Sequence, residues 1–338
     1  MSAPLSTSYR SASGTSHVLP AMPSPDDVSS VLPVESCAHE LRKAVGRGEP
    51  AGLQVAASPE GIVSAIGIIY LAGCSHRPLG LHLRGHCQPH LGETVIEAPE
   101  DEPLARRVLG GFRRNTSPQD AKRVLYACMS DSPLRAQLVL TFMRRGFDLK
   151  EPLYHHRAEP ALVDVFELAY TVSNECEHAR QFVRFHRLTS GVYYARFEPS
   201  ANVIPLVMGH FSARFDTQPF LIHDPRHNVV GFWDGNATQL VQLCDSKELS
   251  LDTTPSEEDR YYHTLWKRFY DSVSIDARTN PDLRRKFMPK RFWKNLSEMS
   301  PLTDPDGPTA QLYQLQAAQT ACRAALEQGG GSLGPTGC

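Results

Sequence analysis

The sequence predicts an α+β fold, mostly helical, with a small mixed or antiparallel sheet. Three observations predict it. Apolar residues recur at three- and four-residue spacing through most of the chain. Alternation at a period of two is confined to short runs. "PFLIHDPRHNVVGFW" reads as a hairpin near residues 219–233 whose turn holds Asp224-Pro225. Strands and helices do not alternate as a series of βαβ units, which argues against an all-parallel architecture.

The elements follow in chain order. Residues 1–34 are rich in Ser and Pro with no Lys, the composition of a disordered tail. Residues 35–300 are expected to form one α+β domain. "AGLQVAASPEGIVSAIGIIYLAG" predicts a short strand, then a buried helix with Ser58 as N-cap, Pro59 in first position and Glu60 in the first turn. Helices are predicted over "EDEPLARRVLGGFRR", "SPQDAKRVLYACMS" and "SPLRAQLVLTFMRRGF", the last two opening on Ser117-Pro118 and Ser132-Pro133. Residues 160–187 are the longest periodic stretch. Val165, Leu168, Val172, Cys176, Ala179 and Val183 share one helical face, and Glu177, Arg180 and Arg184 lie opposite. "GVYYARFEP" alternates like a strand, and Asn202 is placed to cap a helix from Val203 to Arg214. Ser256 and Asp259 frame the next helix as a capping-box variant, with Tyr262, Leu265, Trp266, Phe269 and Val273 as its expected buried stripe. Asn280-Pro281 opens another helix and Pro289 restarts it. Residues 301–328 predict a C-terminal helix and 329–338 a flexible tail.

Composition narrows the function classes. The 338 residues carry a formal net charge of −2, so whole-chain charge points to no polyanionic partner. Its distribution does. Arg260 to Lys294 holds ten Lys/Arg against three acidic residues, which leaves 25 basic and 34 acidic residues elsewhere. Starting the window at Ser256 adds three acids and lowers its charge from +7 to +4. The eight cysteines are scattered, with no C-x-x-C pair and no radical-SAM cluster spacing, and a reducing cytoplasm suits them. No apolar run reaches the roughly 18 residues of a membrane span. No cofactor or metal is expected on the chain itself.

Several stretches carry candidate chemistry. In "MPKRFWKNL", helical spacing puts Phe292, Trp293 and Leu296 on one face and Lys290, Arg291 and Lys294 on the other. The aromatics read as core and the cations as free for phosphate, supported by Arg284, Arg285 and Lys286 just upstream. "LHLRGHCQPHLGE" spaces His82, His86 and His90 four apart, but Gly85 and Pro89 interrupt any chelating helix. "NECEHARQFVRF" groups Glu175, Glu177, His178, Arg180 and Arg184, where charges at the edge of an apolar stripe need partners. His210 reads as a core histidine. His223 and Asp224 are adjacent on a strand and point to opposite faces, so they cannot pair directly. No P-loop, dinucleotide fingerprint or nucleophile elbow is present.

Four stretches together resemble one family: "SPEGIVSAIGIIY", "ECEHARQFVRFHRLTSGVYYARFEPSANVIPLVMGHFSARF", "FLIHDPR" and "LWKRFYDSVSIDARTNPDLRRKFMPKRFWKNLSEM". The chain is similar, over about residues 52–299, to the DNA-metabolism group called domain of unknown function 4130. The resemblance implies a bacterial DNA-repair context and a neighbouring radical-SAM protein as partner. One departure concerns the strand end before the Ser58 turn. The family has an Asp-Gly there, and this chain has Ala56-Ala57.

These observations lead to an expected cytoplasmic accessory protein of DNA metabolism. It would bind nucleic acid or the radical-SAM partner through Arg284, Arg285, Lys286, Lys290, Arg291 and Lys294. The alternative is a DNA-processing enzyme drawing on Glu175, His178, Arg180, Asn202, His210, His223 and Asp224, in which a histidine moves protons and Arg180 clamps a phosphate. A protein-only scaffold is the third possibility.

Overall fold

The computed structural model describes residues 32–86, 89–243, 252–275 and 278–299. The tail up to residue 31, the helix predicted over 301–328 and the tail 329–338 lie outside the described residues. The chain is α+β, as predicted. The described residues divide into two compact units, one made of those up to Gln181 with 197–243, the other of Phe182–Arg196 with those from 252 to 299.

The first unit opens on α1 (Val34–Gly46), which begins inside the predicted tail. Its buried Cys37, Ala38, Leu41 and Ala44 recur at helical spacing. Next come β1 (Ala51–Val55), α2 (Pro59–Leu71), β2 (Gly80–Leu83) and β3 (Thr94–Glu97). The three strands form a parallel sheet in the order β2-β1-β3, with Leu53 paired to Leu81 on one side and Ile96 on the other. So β1, α2 and β2 make one βαβ unit. The sequence pattern did not disclose it, because β2 is only four residues long and carries a Gly and a His.

The Ser58-Pro59 start of α2 is as predicted: Ser58 Oγ accepts the Gly61 N–H at 3.0 Å. This helix is buried on nearly every side because it lies over β1 and beneath α3 (Glu102–Asn115). At Gly67 a Cβ would come within 2.9 Å of Leu104 Cγ and Val108 Cγ2, so the two helices approach where α2 has no side chain. α4 (Pro118–Cys128) opens on Ser117, whose Oγ accepts the Asp120 N–H at 3.1 Å. α5 (Arg135–Leu149) differs from prediction. Ser132-Pro133 forms a turn ahead of it, in which Arg135 N–H bonds Ser132 O at 3.2 Å, and the helix starts only after Leu134 has taken helical angles. Phe112 and Phe142 are fully buried between these helices.

α6 (Pro160–Phe182) buries the predicted face, with Val165, Val172, Cys176 and Ala179 at 0–1% exposure. The unit closes with α7 (Ile204–Phe215) on an antiparallel meander of β6 (Phe220–Asp224), β7 (Val229–Trp233) and β8 (Thr238–Gln242). β6 and β7 are the predicted hairpin. Asn202 does not cap α7. The helix starts one residue later, Val203 has no side-chain cap bond, and Asn202 instead donates its backbone N–H to Met129 O at 3.0 Å. The buried thiols Cys37, Cys128 and Cys176 are poor nucleophiles, since burial pushes Cys128 up to about 12 and the other two to about 11.

In the second unit, β4 (His186–Arg187) and β5 (Tyr193–Arg196) form a short antiparallel ribbon. α8 (Glu257–Val273) is capped by Ser256, whose Oγ accepts the Asp259 N–H at 3.1 Å. The other Asp259 contact ties the helix to the ribbon: Oδ1 accepts the Arg187 N–H at 2.8 Å. The apolar stripe of α8 is not buried as predicted. Tyr262, Trp266, Phe269 and Val273 are 59%, 46%, 56% and 55% exposed. α9 (Pro281–Phe287) is capped by Asn280, as predicted, and 3-10 turns follow over Lys290–Asn295 and Ser297–Met299.

Candidate functional site

The candidate catalytic residues singled out in the sequence all fall in the first unit, and the structure brings some of them into one connected set of loops. Glu175 is buried on α6. Its Oε1 is 3.1 Å from His178 Nδ1, and its Oε2 accepts the Ser200 N–H at 2.8 Å. The neighbouring Ala201 bridges Ser130. Asn202, in turn, bonds Met129. The carboxylate is therefore a clamp between α6 and the 198–202 loop, which in turn grips residues 129–130. Arg180 stands apart and pairs with Glu177 on its own helix. His210 is exposed, against the prediction of a core histidine, and it meets only the edge of Phe211 at 5.1 Å among described ring contacts. It lies on the outer side of α7, while Ile204, Val207, Met208 and Phe211 occupy the inner one.

The fully buried Asp224 has His227 as its partner, three residues on, and not His223. His227 Nδ1 lies 2.5 Å from Asp224 Oδ2, and its Nε2 lies 2.7 Å from Asp131 Oδ1. Asp224 Oδ1 also accepts the Arg226 N–H at 3.0 Å, and the Arg226 guanidinium bonds Asp131 Oδ2 at 2.6 Å. Burial pulls the His227 pKa down, but the hydrogen bonds and charges of Asp224 and then Asp131 outweigh it and hold it above the ordinary histidine value. A carboxylate oxygen faces each ring nitrogen, so the protonated ring donates through both and staples the β6–β7 turn to the 129–132 loop. His227 and Asp131 carry no motif in the sequence. Only the Asp-Pro turn hinted that a side chain just after it could fold back on Asp224.

The basic residues lie in the second unit. Between positions 278 and 295 the chain has seven Lys/Arg and one acid, Asp282, which pairs with Arg285. Arg285, Lys286, Lys290, Arg291 and Lys294 are exposed and Arg284 is half-buried. Phe292 and Leu296 are buried, and Phe292 stacks on Phe182 with centroids 5.9 Å apart. Trp293 is only half-buried. The reason is the 3-10 turn, which eclipses residues three apart and sets Lys290 over the Trp293 ring at 6.0 Å. Here the cation shares the indole face, contrary to the α-helical spacing read from the sequence.

The described residues of the His82–His90 run are not helical. His82 lies on β2, and its Nε2 meets Glu93 at 2.9 and 3.0 Å above Gly52 and Gly80, where a Cβ would clash with the Glu93 carboxylate. A different trio converges in the second unit. His186 on β4 and Asp259 and His263 on α8 place one nitrogen or oxygen each within 4.8 Å of one another. Asp259 Oδ2 is 3.1 Å from His186 Nδ1 and 3.4 Å from His263 Nε2. The imidazoles stack at 4.2 Å. Burial and then the neighbouring His186 hold the His263 pKa below the usual histidine range. Burial would raise that of Asp259, but bonds from His186 and the Arg187 N–H hold it low. In the sequence His186 and Asp259 are 73 positions apart, so no spacing pattern joins them.

Comparison with known proteins places this chain beside one family. Residues 133–298 match the model of the domain of unknown function DUF4130, and the chain resembles that family over those residues. The match covers the stretches from Glu175 onward almost to their end at Met299, while "SPEGIVSAIGIIY" lies outside it. Among solved structures, one titled as the DHH domain of a member of a family of ribosomal proteins aligns at 9% identity. It covers 59% of this chain and 76% of its own, with a TM-score of 0.30. No curated protein matches the chain. None of the described helices is long and apolar enough to cross a membrane.

Proposed function

We propose that the protein is a cytoplasmic accessory protein of DNA metabolism that binds nucleic acid through the basic segment Arg284–Lys294. The observation that carries this reading is the density of cations there: seven Lys/Arg, six of them exposed, against one acid over 278–295, in a chain whose net charge is −2. Arg285, Lys286, Lys290, Arg291 and Lys294 are exposed residues. Cations on a short segment contact phosphate without reading base edges, so the binding is insensitive to sequence. Resemblance to the DNA-metabolism family supports DNA as the polyanion. It also supports a radical-SAM protein as the partner that brings the iron–sulfur cluster. An enzymatic reading is less favoured, because the carboxylates of Glu175 and Asp224 are engaged by backbone N–H groups and by histidines of the same fold.

The test is fluorescence anisotropy with labelled duplex and single-stranded DNA across a salt series. Changing Lys290, Arg291 and Lys294 together to Ala weakens binding alike for all sequences. It also flattens the log–log salt dependence by roughly 2 to 3 units on duplex. Wild-type protein that binds no nucleic acid at low salt, or a triple variant that binds as wild type does, sinks the proposal. Affinity purification from native cells tests the radical-SAM association separately.

A further inference from the structure

We propose that His186, Asp259 and His263 form a site for a divalent first-row transition metal ion, with zinc as the best fit. The ligand atoms are His186 Nδ1, Asp259 Oδ2 and His263 Nε2, and one position faces solvent.

Geometry is the first argument. Zinc binds imidazole nitrogen and carboxylate oxygen at about 2.0–2.1 Å, so neighbouring ligand atoms of a tetrahedral site lie about 3.3–3.4 Å apart. Asp259 Oδ2 already lies 3.1 Å from one histidine nitrogen and 3.4 Å from the other. The third pair, His186 Nδ1 and His263 Nε2, lies within 4.8 Å, and since the two rings stack at 4.2 Å the more exposed His186 ring turns on binding so that one dication meets both nitrogens in plane.

The fold also prepares each ligand. Asp259 and His263 are four apart on α8, which puts them on one face, and Asp259 lies in the helix's first turn, anchored by the Ser256 cap. Asp259 Oδ1 is occupied by the Arg187 N–H at 2.8 Å, which turns Oδ2 toward the histidines. Ser297 Oγ lies 2.5 Å from His263 Nδ1 and orients the ring so that Nε2 faces Asp259. Outer contacts of this kind set the tautomer and direction of metal-bound histidines.

Exposure and donor type fix the class of ion. Two imidazoles and one carboxylate suit zinc and its first-row neighbours over magnesium or calcium, which take oxygen ligands. The side chains are 35%, 9% and 24% exposed for His186, Asp259 and His263, so the carboxylate is sheltered while water reaches the histidine side. Three protein ligands with a solvent-facing position are the arrangement of a reactive centre, in contrast to the closed four-ligand shell of a structural one.

The experiment uses cobalt(II) as the probe on the full chain, purified without a tag and stripped by chelator. We expect one equivalent to bind near neutral pH, with the visible d–d absorption of a four- or five-coordinate ion, and one equivalent of zinc to displace it. His186→Ala and His263→Gln weaken binding by roughly 100-fold and Ser297→Ala by roughly 10-fold. His82→Ala, at the His82–Glu93 pair of the first unit, leaves it unchanged. A wild-type measurement guards against variants that fail to fold. Diethyl pyrocarbonate with peptide mapping should show cobalt protecting His186 and His263 but not the exposed His76 and His210. Absence of saturable binding, binding that survives both histidine changes in folded protein, or protection elsewhere overturns the proposal.

Discussion

His227 donates through Nδ1 to the fully buried carboxylate of Asp224 at 2.5 Å, while its Nε2 reaches Asp131 at 2.7 Å. The first prediction follows from the raised His227 pKa. A group whose folded pKa exceeds its unfolded value contributes stability that is fully present below the unfolded pKa, about 6.5 for histidine, and is lost as pH rises through the folded value. Melting temperature should therefore fall as pH is raised above the ordinary histidine range, and His227→Ala should remove that component of the slope. The variant also leaves Asp224 with backbone donors alone and should lose about 3–5 kcal/mol at the acidic end of the window. A wild-type profile that matches the variant's in shape would contradict the charged staple.

Helix packing around Phe112 gives a second prediction. A Cβ on Gly146 would sit 2.4 Å from Phe112 Cε2 and 3.0 Å from Thr116 Cγ2. Phe112 is fully buried and cannot swing away. Gly146→Ala should cost about 1–3 kcal/mol by overpacking, against the gain of helix propensity. Gly110 is the control. Its Cβ would meet only the far end of Arg114 at 3.7 Å, so Gly110→Ala should stabilise by up to about 1 kcal/mol. Urea titrations of both variants decide it, and equal midpoints would show that α3 and α5 can separate freely.

What the sequence disclosed was local. Ser58-Pro59, Ser256 with Asp259 and Asn280-Pro281 were legible as helix starts because a cap and its helix are neighbours in the chain. Ser132-Pro133 carries the same signal, yet it makes a turn, since the cap pattern does not say where helical angles begin. Periodicity showed that Tyr262, Trp266 and Phe269 share a face of α8. It could not show whether anything covers that face, and in the structure they are 46–59% exposed. Of the polar residues, Glu175 was legible as needing a partner, but Ser200 as that partner was not, because 25 positions separate them. The same kind of separation hides His186 from Asp259 and Asp131 from His227.

The Arg184–Glu298 pair yields a prediction on the acid side. Arg184 Nη2 donates to Glu298 Oε1 at 2.8 Å, and Glu298 is buried. Burial would raise the Glu298 pKa, but the Arg184 bond and then the backbone N–H hold it below the ordinary glutamate value. Stability from this group is present above that ordinary value, about 4.3, and is lost as pH falls through the lower folded value. Glu298→Gln should therefore flatten the acid limb of the plot of melting temperature against pH and leave the alkaline limb alone. An unchanged acid limb would mean that other carboxylates govern it.

Phe292 and Trp293 separate stability from binding within the basic segment. Phe292 is 1% exposed and stacks on Phe182, so Phe292→Ala should cost about 3–5 kcal/mol as a buried aromatic. Trp293 is half-buried, bonds Met288 O through Nε1 at 3.0 Å and carries Lys290 over its ring. Trp293→Ala should cost less, about 1–2 kcal/mol, mainly through that hydrogen bond and its partial burial. It should also weaken nucleic-acid binding, because the indole face is what holds the Lys290 ammonium in place, an interaction of about 0.5–1 kcal/mol at an exposed site. Trp293→Phe retains a ring for Lys290 but loses the N–H, and so should keep binding while losing stability. Melting curves beside anisotropy titrations of the three variants distinguish the roles. If Trp293→Phe lost binding as fully as Trp293→Ala, the ring would not be what positions Lys290.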